Sequence, residues 1–201
     1  MLAYYTGIGS REAPLQIKNL MTEIAMCMAS YNWILRSGAA DGADAAFEIG
    51  AKDKKEIFLP FKGFNGHKSF LVLGSPLLDA RAEQLAEKVW TERNILGYTK
   101  CPWDNLKDTT RAFMIRNIHQ VCGPDLITTS RVVICWTKDG LASGGTGQVL
   151  YAVEMMEKKQ EGKLLEERKR VPQIINLYHS SSIDFIKEML RNNTDPNNIW
   201  P

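Results

Sequence analysis

Arg131–Thr137, RVVICWT, runs into Lys138–Gln148, KDGLASGGTGQ, and then into Val149, Leu150, Val153 and Met156, and this stretch decides the fold. The first part is a short, unbroken apolar run rich in β-branched residues, which reads as a strand buried on both faces. The second part holds three glycines in four positions between small polar residues, the composition of a loop that must turn sharply or let something approach its backbone. The third part places its apolar residues at helical spacing. The whole is therefore strand, glycine loop, helix.

Working outward, the same unit occurs twice more. Leu2 to Ile8 is a strand-like run that stops at Gly9-Ser10-Arg11. Pro14 suits the first turn of a helix that carries Leu20, Met21, Ile24 and Met28 and extends to Tyr31. Trp33 to Ser37 is a second strand, broken by SGAADGAD (Ser37 to Asp44), after which Ala45, Ala46, Phe47 and Ile49 open a second helix. Lys55 to Phe61 is a third strand with Pro60 near its end. Asp104 to Cys122 reads as a helix, Ile174 to Tyr178 as a last strand and Ile183 to Leu190 as a last helix. Strands alternating with helices predict an α/β fold of Rossmann-like build, a doubly wound and mainly parallel sheet flanked by helices. The chain reads as a single domain, 1–201, with 62–103 as a helical insertion or cap whose helix begins at Leu77 and reaches Trp90. The mixed-charge run Gln160 to Arg170 reads as a solvated helix end or loop, and NNTDPNN (Asn192 to Asn198) as a frayed terminus.

Composition bounds the partners. The 201 residues are 44% hydrophobic and 24% charged, enough for one sizeable core. Lys and Arg total 25 against 23 Asp and Glu, a formal charge of +2, so no large polyanion is expected as a partner and nucleic acid is disfavoured. Cys27, Cys101, Cys122 and Cys135 are far apart and form no CxxC pair. With His67, His119 and His179 as the available co-ligands this is poor zinc spacing, and neither a metal nor a cofactor is expected. Cys27 in an apolar helical run and Cys135 in a strand suit reduced thiols in the cytoplasm. The opening MLAYYTGIGSREAP has no basic region followed by a long apolar one, and no stretch approaches the ~20 apolar residues of a spanning helix, so no membrane association is expected.

In a doubly wound sheet, ligands gather beyond the carboxyl ends of the strands, where loops enter helix N-termini. Gly9-Ser10-Arg11 offers backbone amides, a hydroxyl and a guanidinium to a phosphate, or else is a tight turn with Arg11 in a surface ion pair. Ser37, Gly38 and Asp44 follow the second strand. Asp44 either accepts hydrogen bonds from a ribose or base or caps its own helix, and Glu48 lies one turn further along the same face. Gly144, Gly145, Thr146, Gly147 and Gln148 follow the fourth strand, where glycines at a helix start favour a phosphate or ribose phosphate. No Lys follows them and they do not spell G-x-G-x-x-G, which argues against ATP hydrolysis and ordinary hydride transfer. Trp90, Trp103, Phe64, Phe70 and Tyr98 are candidates for a lid that stacks on a base, or for core and interface positions.

These three loops together resemble the SLOG superfamily, which includes LOG phosphoribohydrolases, DprA-like proteins and YspA/YpsA-related proteins. Gly9-Ser10-Arg11 with ILRSGAADGADAAFEIGA (Ile34 to Ala51) is similar to the YspA-type pattern. MIRN (Met114 to Asn117), a strand and SGGTGQ are similar to the LOG pattern MxxRK followed by PGGxGTxxE. The likeness runs from Leu2 to Glu157 without the insertion. It implies that Arg116 and Asn117 turn toward the glycine loop and that the pocket takes a nucleoside monophosphate or a related signal nucleotide. It also implies a homo-oligomer, and it extends to small stand-alone proteins of bacteriophages, which would place the protein in a host cytoplasm. One departure matters: Gln148 stands at the Thr of the LOG pattern and Tyr151 at its catalytic Glu. The expected function is therefore binding of a nucleotide-type small molecule, as a sensor or sponge. The alternative is an N-glycoside hydrolase of nucleoside 5′-monophosphates that uses Asp44, Glu48 or Glu154 in place of the missing carboxylate.

Overall fold

The computed structural model describes residues 2–68, 71–72, 76–161 and 170–201. Its elements are β1 (Ala3–Gly9), α1 (Leu15–Ser30), β2 (Trp33–Ser37), α2 (Ala43–Ala51), β3 (Lys55–Leu59), β4 (Leu71–Val72), α3 (Pro76–Ile95), α4 (Asp108–Cys122), β5 (Val132–Trp136), α5 (Gly144–Lys158), β6 (Gln173–Asn176), α6 (Ser180–Arg191) and α7 (Pro196–Ile199). The strand order is β4-β3-β2-β1-β5-β6, and every pairing is parallel. The α/β, Rossmann-like reading of the sequence holds. No helix among the described residues is long and apolar enough to cross a membrane.

Strand periodicity builds two cores from one sheet. Along β5, Val132, Ile134 and Trp136 point to a core shared with α1, α2 and α6, while Val133 and Cys135 point to one shared with α3, α4 and α5. A strand buried on both sides must be apolar at every position, which is why RVVICWT shows no alternation. All four cysteines are free. Cys135 is fully buried, and loss of solvent pushes its thiol up to about 12.

The chain leaves β1 toward β2 on one side and leaves β5 toward β6 on the other, so the two neighbouring strands send their loops apart. That divergence opens a crevice at their carboxyl ends, where Gly9 and Trp136 lie opposite each other.

Two regions differ from the sequence reading. The stretch 62–103 is more than a cap: it supplies the edge strand β4 and the helix α3, whose Ala86 and Val89 are part of the second core. The C-terminus is not frayed. Asp195 caps α7 through the Asn197 amide, and Trp200 is buried edge-on to Trp33 at 6.1 Å between ring centroids. Its indole N–H donates to Gln173 at 2.8 Å. An aromatic pair of this kind adds about 0.5–1.5 kcal/mol beyond the area it buries, which outweighs the polar composition of the preceding residues. Most of the charged run 160–170 lies outside the described residues, as does Phe70.

Candidate functional site

A cavity of about 370 Å³ occupies the crevice between the β1 and β5 loops. Its walls come from four places: Ser10 and Arg11 after β1, Asp44 in the first turn of α2, one face of α4, and the start of α5 with Gly144, Gly145 and Thr146. The α4 face is Phe113, Arg116, Asn117 and Gln120, residues that recur at helical spacing and so project together.

The α5 loop is the most open wall. Ser143 precedes the helix but gives it no side-chain cap; its hydroxyl donates instead to Asp139 at 3.2 Å. The Gly147 amide is bonded to the Ser143 carbonyl at 2.8 Å, which leaves the Gly144, Gly145 and Thr146 amides to open the helix toward the cavity. The three glycines have different reasons to be glycine. Gly144 has a left-handed φ of +57°, and a Cβ on Gly147 would stand 2.0 Å from the Ala142 carbonyl oxygen. Gly145 has neither constraint: the nearest atom to a Cβ there is Asn117 Nδ2, at 3.8 Å. The fold does not require that glycine, and its bare surface faces the cavity.

Other residues hold this loop from behind. Asn117 Nδ2 donates to the Gly145 carbonyl at 3.2 Å and to Gln148 Oε1 at 3.1 Å. Arg93, buried at the end of α3, donates to the Ala142 carbonyl at 2.8 Å and the Gly144 carbonyl at 3.4 Å. Asn176, at the end of β6, donates to Thr137 Oγ1 at 2.8 Å and to the Gly140 carbonyl at 3.3 Å. Carbonyls of the loop are thus anchored while the Gly144, Gly145 and Thr146 amides make no bond among the described residues, the polarity that suits an anion.

The β2 loop is used differently. Ser37 Oγ donates to the Gly7 carbonyl at 2.7 Å and ties β2 to β1. A Cβ on Gly38 would fall 1.2 Å from Arg116 Nη1, so the absence of a side chain there is what admits the guanidinium. Asp44 Oδ2 accepts from the Gly38 amide at 3.1 Å, the Ala40 amide at 3.4 Å and Arg116 Nη1 at 3.5 Å. Burial pushes the Asp44 carboxyl up to about 6, against the opposing pull of Arg116 and the two amides, and Glu48 adds to the rise. Burial likewise lowers Arg116, although Asp44 opposes that shift. Loss of solvent therefore outweighs a loose ion pair on both partners.

The lining keeps a positive excess. Arg11, Arg116 and Lys138 face Asp44 alone, and Lys138 is also paired with the exposed Glu12 at 3.1 Å. Arg11 makes no ion pair among the described residues. Arg116 Nε and Gln120 Nε2 are buried donors without an acceptor among the described residues, a cost of roughly 1–3 kcal/mol each if nothing meets them.

The sequence-predicted residues divide accordingly. Gly9, Ser10, Arg11, Asp44, Arg116, Asn117, Gly144, Gly145 and Thr146 meet around the cavity. Ser37, Gly38, Gly147 and Gln148 lie behind it and support it. Glu48 is elsewhere: its carboxylate contacts Lys55 at 3.2 Å and His67 at 3.7 Å and lines no part of this cavity. Tyr151, at the catalytic position of the LOG pattern, is also outside it, packed near Tyr98 at 6.4 Å. Sequence reasoning missed Phe113 and Gln120, which extending the helical period from Arg116 and Asn117 would have found, and Arg93, for which no local signal existed. Among the described residues the aromatic side chain in this cavity's lining is Phe113, and Trp90, Trp103, Phe64 and Tyr98 lie outside it; Phe64 packs on Phe113 at 5.4 Å and Trp103 is buried in the second core. No family model, curated protein or solved structure matches the chain.

Proposed function

We propose that the protein binds a nucleotide or a nucleotide-derived phosphorylated molecule in the crevice between β1 and β5, as a sensor or sponge and without turning it over. The observation that carries this reading is Gly145, a glycine the backbone does not need, set among the free amides of α5 and opposite the buried, acceptorless donors of Arg116 and Gln120. A phosphate oxygen offers this wall an acceptor, and charge-assisted bonds to it offset the burial of Arg116. The order of the loops, GSR then GAADGAD then SGGTGQ, supports membership of the SLOG superfamily, whose relatives of bacteriophages make a host cytoplasm the setting. Self-association accompanies that membership, and exposed Ile95 and Leu96 at the end of α3 offer an apolar contact for it. The direct experiment is mass spectrometry of small molecules released when the purified protein is denatured, with a nucleotide as the expected species.

The second reading, hydrolysis of the N-glycosidic bond of a nucleoside 5′-monophosphate, has one observation in its favour: Asp44 lies in the cavity wall with its carboxyl raised to about 6, within reach of acid–base work near neutral pH. Against it, Asp44 is already engaged with two amides and Arg116, and Glu48 and Tyr151 face other surroundings. Chromatography of nucleoside monophosphates incubated with the protein should show no free base. Enzyme-dependent base release that vanishes in Asp44→Asn would establish the hydrolase instead.

A further inference from the structure

A second cavity, of about 430 Å³, adjoins the first across the start of α5. The two share Thr110, Met114, Gly144 and Gly145 in their linings, so the glycine pair forms the threshold between them. The chemistry on the far side is different. Trp90 and Tyr98 supply aromatic surface, with the Trp90 ring fixed by its N–H donating to the Cys101 carbonyl at 2.8 Å. Two buried polar atoms there, Arg93 Nε and Thr99 Oγ1, have no hydrogen-bond partner among the described residues. An aromatic wall with unmet polar groups suits a planar, hydrogen-bonding ring such as a nucleobase.

From this we infer that the ligand is two-armed: a phosphodiester or pyrophosphate that rests on the Gly144–Gly145 threshold, with one arm against Arg116 and Asn117 and an aromatic base on the other arm in the second cavity. The inference deepens the proposed function and rests on α5 being the seat of the phosphate. Each cavity alone is within the usual range for a small-molecule pocket, about 300–1,000 Å³, so a mononucleotide would occupy one and leave the other's donors unmet. A side chain at position 145 would stand between the arms, which gives the unforced glycine its second reason.

Calorimetric titration with the four nucleoside 5′-monophosphates, the four matching 3′–5′ dinucleotides and ADP-ribose tests this, on the wild type and on Tyr98→Ala. Tyr98 is 63% exposed, so its loss leaves the core intact. The expected result is a two-armed probe that binds at least about tenfold tighter than any monophosphate, with Tyr98→Ala removing that gain, the scale of one base–aromatic stack, and leaving monophosphate affinity unchanged. If monophosphates bind as tightly as two-armed probes, or if Tyr98→Ala weakens both alike or neither, the two-armed ligand is wrong while the phosphate seat stands. If no probe binds at all, the phosphate seat falls and the two-armed ligand with it.

Discussion

The loops after β2 and β5 look alike in sequence, each a glycine-rich link between a buried strand and a small-residue helix start, yet the molecule uses them in opposite ways. In the β2 loop every special residue is consumed internally. Gly38 makes room for Arg116, Ser37 bonds to β1, and Asp44 folds back on its own loop amides. In the β5 loop the carbonyls of Gly140, Ala142, Gly144 and Gly145 are held by Asn176, Arg93 and Asn117, while the Gly144, Gly145 and Thr146 amides make no bond among the described residues and these three residues line the cavity. One loop is a brace and the other a cradle. Glycine content alone does not separate them; what a Cβ would meet does.

The contrast is most easily broken at Gly38. Gly38→Ala puts a methyl on the Arg116 guanidinium, which must swing toward the cavity and leave Asp44, and this should cost about 1–3 kcal/mol of stability in urea denaturation. A variant as stable as the wild type would mean that Arg116 moves freely and that the β2 loop is not a brace.

Asp44 sharpens the comparison through pH. Its folded-state carboxyl is raised from 3.8 to about 6, so the folded protein holds a proton that the unfolded chain releases. The stabilisation from that proton is present below about pH 4 and is lost as pH rises through about 6. The wild type should therefore lose on the order of 2–3 kcal/mol relative to Asp44→Asn between about pH 4 and pH 7, measured by denaturation at each pH. A constant difference would show the carboxylate to be well solvated or tightly paired.

Arg11 tests the cradle side, because it is exposed, lines the cavity and makes no ion pair among the described residues. Arg11→Ala should weaken a phosphorylated ligand by roughly 1.5–3 kcal/mol more than the matching nucleoside, with little change in stability. Equal losses for the two ligands would remove Arg11 from the phosphate.

Which parts were legible follows from the range of the forces involved. RVVICWT and the three glycine loops are local signals, since strand burial and helix entry are written in consecutive residues, and residues of all three loops line the crevice or lie beside it. The direction of Glu48 was not legible. It is four residues from Asp44 on α2, yet its contacts are with Lys55 on β3 and His67 beyond it, which hold it away from the cavity. Arg93 was hidden for the same reason: it comes from a helix that reads as an insertion, and only the packing of α3 on α4 and α5 brings it to Gly144. Trp200 follows a polar stretch whose composition signals fraying, and its contact with Trp33 spans nearly the whole chain.

The central claim, that the start of α5 is the ligand's seat, is tested most directly at the residue the fold leaves unconstrained. Calorimetric titration of Gly145→Asp against a nucleotide panel, with its thermal unfolding recorded alongside, places an anion where a phosphate should rest, on a Cβ whose nearest neighbour is Asn117 Nδ2 at 3.8 Å. The account predicts near-wild-type unfolding and loss of binding to the ligand that the wild type holds most tightly. Unchanged affinity for that ligand in a folded Gly145→Asp protein would contradict it and move the site away from α5.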